Sequence, residues 1–154
     1  MNYLSKDFKL PTTGGKEVTI ESLMKQNFVL YFYPKDNTSA CTTEALEFAE
    51  LYDDFRALGF HVYGISKDTI GSHEKFKEKF SLPYTLISDV EKVLLEQFNV
   101  IKDKKMYGKA VKGTVRSTFV FCEGLKLVKE FRDVKAIGHA KAVLDFLEDF
   151  TPSN

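Results

Sequence analysis

Apolar and polar positions fall into blocks along the chain, and the period of each block predicts an element. Gly14-Gly15 lies between Leu10-Pro11-Thr12-Thr13 and Val18-Thr19-Ile20 and reads as a turn joining two short strands. Residues 21–26 suit a short helical turn. Residues 28–33 are an unbroken apolar and aromatic run, long enough for a strand buried on both faces, and Pro34 ends it. After a polar loop, Cys41, Ala45, Phe48, Tyr52 and Phe55 recur at helical spacing and predict one amphipathic helix ending at Gly59. Residues 60–65 and 82–87 read as core strands, residues 70–80 as a charged helix and 91–98 as a short one. The basic segment 102–113 reads as a loop. Residues 115–121 and 125–131 flank a Glu123-Gly124 turn as a hairpin. Residues 138–150 predict a last amphipathic helix with Ala142, Val143, Phe146 and Leu147 inward.

This order of strands and helices implies an α/β fold with a central mixed β-sheet flanked by helices and an N-terminal β-hairpin. A thioredoxin-like fold has this order. The length of 154 residues, without repeat, linker or low-complexity tract, suits a single domain spanning 1–154. The 22 basic and 22 acidic side chains balance, so no global field points to nucleic acid or anionic lipid. No apolar run approaches the roughly 20 residues of a membrane helix. The first ten residues mix charge with scattered apolar positions, unlike a signal peptide. The expected location is cytoplasmic, with no membrane and no nucleic-acid partner.

Only two cysteines occur, Cys41 and Cys122, too few for a secreted disulfide scaffold. Cys41 opens a helix directly after a buried strand and a loop. A helix N-terminus offers unpaired N–H groups and the positive end of a dipole, and both favour a thiolate, the nucleophilic form. Cys41 also starts the apolar stripe, so its sulfur should face inward, recessed from solvent and suited to a small substrate. Thr38, three residues earlier, reads as an N-cap whose hydroxyl could also reach the sulfur. Taken alone, Arg116 reads as an ordinary strand arginine.

The stretch Tyr31-Phe32-Tyr33-Pro34-Lys35-Asp36-Asn37-Thr38-Ser39-Ala40-Cys41-Thr42-Thr43-Glu44-Ala45 resembles the active-site segment of peroxiredoxins of the bacterioferritin comigratory protein (peroxiredoxin Q) group. Pro34, Thr38 and Cys41 match the P-x-x-x-T-x-x-C pattern of peroxiredoxins. Lys104-Lys105-Met106-Tyr107-Gly108, Arg116-Ser117-Thr118-Phe119 and Lys135-Ala136-Ile137-Gly138-His139-Ala140 resemble the same group, so the likeness spans nearly the whole chain. It implies a thiol-dependent antioxidant peroxidase acting on hydrogen peroxide or alkyl hydroperoxides. Cys41 would become a sulfenic acid. Thr38 would hydrogen-bond peroxide and sulfur, Arg116 would stabilise the thiolate and the breaking O–O bond, and Pro34 would shield the sulfenic acid. No metal or organic cofactor is required. A backbone N–H near Ala40 would complete the substrate pocket.

Two departures alter the expected cycle. Many members carry a second cysteine five residues after the first, where this chain has Leu46. Cys122 lies six residues beyond Arg116 on the expected strand, roughly 20 Å away at about 3.3 Å per residue, whereas a disulfide needs Cα atoms within about 7 Å. A one-cysteine cycle is therefore expected, reduced by an external thiol from thioredoxin, glutathione or glutaredoxin, in a monomer or weak homodimer. In place of the usual Pro-Gly pair stands Ser39-Ala40. A disulfide reductase would need a second cysteine three residues away, but those positions hold Thr38 and Glu44. A noncatalytic thioredoxin-like module would leave Thr38, Cys41 and Arg116 without a joint purpose. His61, His73 and His139 show no metal-ligand spacing. Asp53-Asp54 reads as a solvated face.

Overall fold

The apolar run after Gln26 forms β3, Asn27–Phe32, and its alternate side chains feed two separate cores. Phe28, Leu30 and Phe32 enter one, while Val29, Tyr31 and, just past the strand, Tyr33 enter the other. A strand covered on both faces must be apolar throughout. The computed structural model describes residues 3, 4 and 6–150. In it, β3 pairs in parallel with β4, Phe60–Ser66, and antiparallel with β8, Ser117–Cys122. The remaining strands of the sheet are β1, Lys9–Thr12, β2, Lys16–Thr19, β5, Thr85–Ser88, and β9, Lys126–Phe131. Their order is β2-β1-β5-β4-β3-β8-β9. The expected N-terminal hairpin joins the sheet through the pairing of Thr12 with Ile87.

One face carries α2, Ser39–Glu50, α3, Tyr52–Ala57, α4, Ile70–Phe80, and α6, His139–Phe150. The other carries α1, Ile20–Met24, and α5, Val93–Gln97. Aromatic rings dominate both cores: Tyr31 stacks on Phe48 at 4.5 Å, and Phe98 meets Phe119 at 4.7 Å. Full burial of one such ring contributes on the order of 2–3 kcal/mol. Among the described residues no helix is long and apolar enough to cross a membrane.

Three expectations change. The helix expected to run unbroken to Gly59 starts two residues before Cys41 and is interrupted at Leu51, where ψ is 4°. The apolar stripe survives, because the Phe55 N–H still reaches the Leu51 carbonyl. The segment read as a basic loop is instead a hairpin of β6, Ile101–Met106, and β7, Lys109–Thr114, turning through Tyr107 and Gly108 with φ of 53° and 76°. The side chains of residues 104–106, 110 and 111 lie outside the described set. On α6 the buried stripe runs through His139, Ala140, Val143, Leu144 and Leu147, with Ala142 exposed and Phe146 only half-buried.

Candidate active site

The β3–β4 pair is parallel, and the chain leaves β3 toward the rim where ligands of open α/β sheets collect. Thr38 occupies the N-cap position of α2, and the first helical bond runs from the Thr42 N–H to the Thr38 carbonyl at 2.8 Å. The N–H groups of Ser39, Ala40 and Cys41 therefore have no carbonyl partner within the helix. Cys41 is 2 % exposed, and its side chain joins the core formed by Ala45 and Phe48.

Arg116 reaches this sulfur from the other side of β3. It is not on a strand, as the sequence pattern implied, but immediately before β8, whose first residue, Ser117, pairs with Phe32 at the end of β3. That register brings residue 116 to the rim above Cys41. Its Nη2 donates to Cys41 Sγ at 3.4 Å and its Nη1 to Glu44 Oε1 at 2.6 Å. One planar guanidinium thus spans the sulfur and a carboxylate.

Glu44 is a member of the site that the sequence reading used only to reject a second cysteine. It is fully buried, and its Oε2 has no hydrogen-bond partner. Burial pushes its carboxyl up to about 7, a rise that the charge and hydrogen bond of Arg116 only partly offset and the charge of Glu47 reinforces. The available signal was position: an acid three residues after Cys41 lies one turn on and flanks the buried stripe. Burial disfavours the charged form of Arg116, but the neighbouring Glu44 and Cys41 outweigh it and hold the guanidinium protonated.

The structure brings Cys41 and Arg116 into contact but leaves the Thr38 hydroxyl on the rim. Thr38 is exposed and makes no side-chain cap, contrary to expectation; its Oγ1 donates to the Lys35 carbonyl at 2.9 Å. The loop doubles back at Asn37, whose φ of 61° is left-handed, and this offers a carbonyl ahead of the helix N–H groups. Pro34 is half-buried at the end of β3, and Ala40 is exposed beside the nucleophile.

Cys122 ends β8, the far end from Arg116. Both thiols are free, and burial pushes the Cys122 thiol up, against the charge of Lys126. Leu46 is 42 % exposed on the outer side of α2. His139 pairs with Thr118 at 2.7 Å and is pushed down to about 4 by burial and by the charge of Arg116. The fold also gathers Asp36, Asp68 and His73, whose candidate ligand atoms lie within 4.8 Å of one another. Both ring nitrogens of His73 are engaged, by Asp36 at 2.7 Å and by the Ile87 carbonyl at 2.9 Å.

A recessed cysteine at a helix start, met by an arginine from the segment leading into the adjoining strand of a mixed sheet, defines the class. The chain belongs to the AhpC/TSA family, whose model matches residues 3–129. Two relatives lie within that family. Peroxiredoxin Bcp of Xanthomonas campestris is 42% identical over 142 residues, covering 92% of this chain and 89% of the relative. Peroxiredoxin Bcp of Bacillus subtilis is 41% identical over 145 residues, covering 94% and 92%. A solved structure of the Xanthomonas campestris bacterioferritin comigratory protein, from work on its alkyl peroxide reduction, superposes with a TM-score of 0.89 at 39% identity, covering 94% of this chain and 92% of that one. The fold is thioredoxin-like, as expected. Within the family the chain groups with the Bcp, or peroxiredoxin Q, peroxiredoxins, which are thiol-dependent peroxidases.

Proposed function

We propose that Cys41 reduces hydrogen peroxide and alkyl hydroperoxides in a one-cysteine cycle completed by an external thiol. The observation that supports this most is the Arg116 guanidinium held 3.4 Å from a recessed sulfur at a helix start. The Cys41 thiolate attacks the terminal peroxide oxygen, the S–O bond forms and the O–O bond breaks. The sulfur keeps the OH as a sulfenic acid, and the alkoxide or hydroxide leaves and takes a proton from solvent. Negative charge moves from sulfur to the leaving oxygen, and Arg116 and the free N–H groups around Ala40 face that path. The Thr38 hydroxyl, donating its O–H to the Lys35 carbonyl, keeps lone pairs that accept the peroxide O–H. Pro34 screens the nascent sulfenic acid from bulk water.

An external thiol then condenses with the sulfenic acid, releasing water and leaving a mixed disulfide. A second thiol displaces Cys41 and regenerates it. Thioredoxin, glutathione and glutaredoxin are the candidate donors. Leu46 in the usual second-cysteine position and Cys122 at the opposite end of β8 support this route over an internal disulfide. The chain acts as one domain, as a monomer or weak homodimer, in the reducing cytoplasm where such thiols are maintained. Cys41→Ser tests the assignment: peroxide consumption with any of the three donors should fall to background, and near-normal turnover would refute it.

A further inference from the structure

Asp36 lies in the loop between β3 and α2, two residues before Thr38, and is 7 % exposed. Its carboxylate receives three side-chain partners: Tyr33 Oη at 2.5 Å, Ser72 Oγ at 2.8 Å and His73 Nδ1 at 2.7 Å. Its backbone N–H donates to Asp68 Oδ2 at 2.8 Å, and that oxygen is held in turn by the Ser66 hydroxyl. His73 is fully buried in the first turn of α4.

Hydrogen bonds hold both edges of the His73 ring. Its Nε2 faces the Ile87 carbonyl at 2.9 Å, and a carbonyl only accepts. Its Nδ1 faces an Asp36 oxygen that already accepts from Ser72. Both ring nitrogens are therefore engaged, and the ring is fixed between the Asp36 carboxyl and a backbone carbonyl. The polar side-chain atoms of this buried pair all have hydrogen-bond partners, the condition under which buried polar groups are tolerated.

The pair grips one turn of backbone. Asn37 follows with its left-handed φ, Lys79 Nζ reaches Asn37 Oδ1 at 3.2 Å, and Thr38 closes back on Lys35. We propose that Asp36 and His73 are positioning residues for peroxide attack, a buried hydrogen-bonded pin that holds the 35–38 turn so that the Thr38 hydroxyl and the helix-start N–H groups face the peroxide on Cys41. The inference rests on Cys41 being the peroxide-reactive thiol.

Two rates on the same sulfur test it: the second-order rate of oxidation by hydrogen peroxide, and that of alkylation by iodoacetamide. Alkylation needs an accessible thiolate but not a positioned peroxide. Asp36→Asn should slow the peroxide reaction roughly ten- to a hundredfold and alkylation by less than about threefold, because misplacement penalises the oriented reaction. If Asp36→Asn does not fold, Ser72→Ala decides, with a loss of about fivefold in the peroxide rate alone for one missing donor. Peroxide and iodoacetamide rates that stay unchanged or fall together in the folded variant overturn the pin. Slow peroxide reaction in the unsubstituted protein would instead overturn the assignment of Cys41.

Discussion

Arg116 serves two partners, and their competing claims set the chemistry at the residue scale. Removing its guanidinium in Arg116→Ala leaves Glu44 buried without a counter-charge and the sulfur without its donor. Stopped-flow oxidation should then be about ten- to a thousandfold slower, the range of a lost donor at a developing negative charge; an unchanged rate would make Arg116 structural. Glu44 makes a separate prediction. Its carboxyl rises from 4.5 to about 7 on folding, so the folded protein holds that proton more tightly than the unfolded chain. The linked stabilisation is complete below about 4.5 and is lost as pH rises through about 7. The unfolding free energy of the unsubstituted protein minus that of Glu44→Gln should therefore shrink between pH 5 and pH 8, by on the order of 2–3 kcal/mol. A constant or growing difference contradicts the assignment. Cys41 and Arg116 were legible in the sequence because motif and resemblance mark them. Glu44 and the Asp36–His73 pin were not. Their roles arise from contacts across 72 and 37 positions, which local pattern does not encode.

At the scale of elements, the helix that carries Cys41 is tied to the sheet by a hydroxyl chain. Tyr31 Oη and Tyr84 Oη lie 2.7 Å apart, and Tyr84 donates to the Ala45 carbonyl in α2 at 2.8 Å. Gly64 on β4 makes room for it: a Cβ there would lie 2.9 Å from the Tyr31 ring and hydroxyl and 2.8 Å from Leu86. Gly64→Ala should displace Tyr31, cost about 1–3 kcal/mol in denaturant unfolding, and slow peroxide oxidation by loosening α2. A variant as stable as the parent would show that the strand yields. Periodicity located β3, β4 and α4 because each buries a regular face. It missed the β6–β7 hairpin because those strands form a separate two-stranded sheet in which Lys102, Asp103, Lys109 and Lys112 are all exposed, so their polar run shows no alternation to read. It found Val143 and Leu147 on the inner face of α6 but set that face partly off, because His139, polar by type, sits in the buried stripe against Thr118. Thr38 was placed correctly at the helix start, yet its hydroxyl direction depended on the left-handed Asn37.

For the whole molecule, the sheet decides what can meet Cys41. The β3–β8 register brings Arg116 to the sulfur and carries Cys122 to the opposite end of the strand, about 20 Å further along. The same topology that brings Arg116 to Cys41 thus keeps Cys122 away from it, which is the basis of the proposed cycle with an outside thiol. The direct test is to treat the reduced protein with one equivalent of hydrogen peroxide, trap it with dimedone and locate the adduct by mass spectrometry. A single adduct on Cys41, with Cys122 still a free thiol, is the expected result. An internal Cys41–Cys122 disulfide, or no oxidation of Cys41 at all, would contradict it.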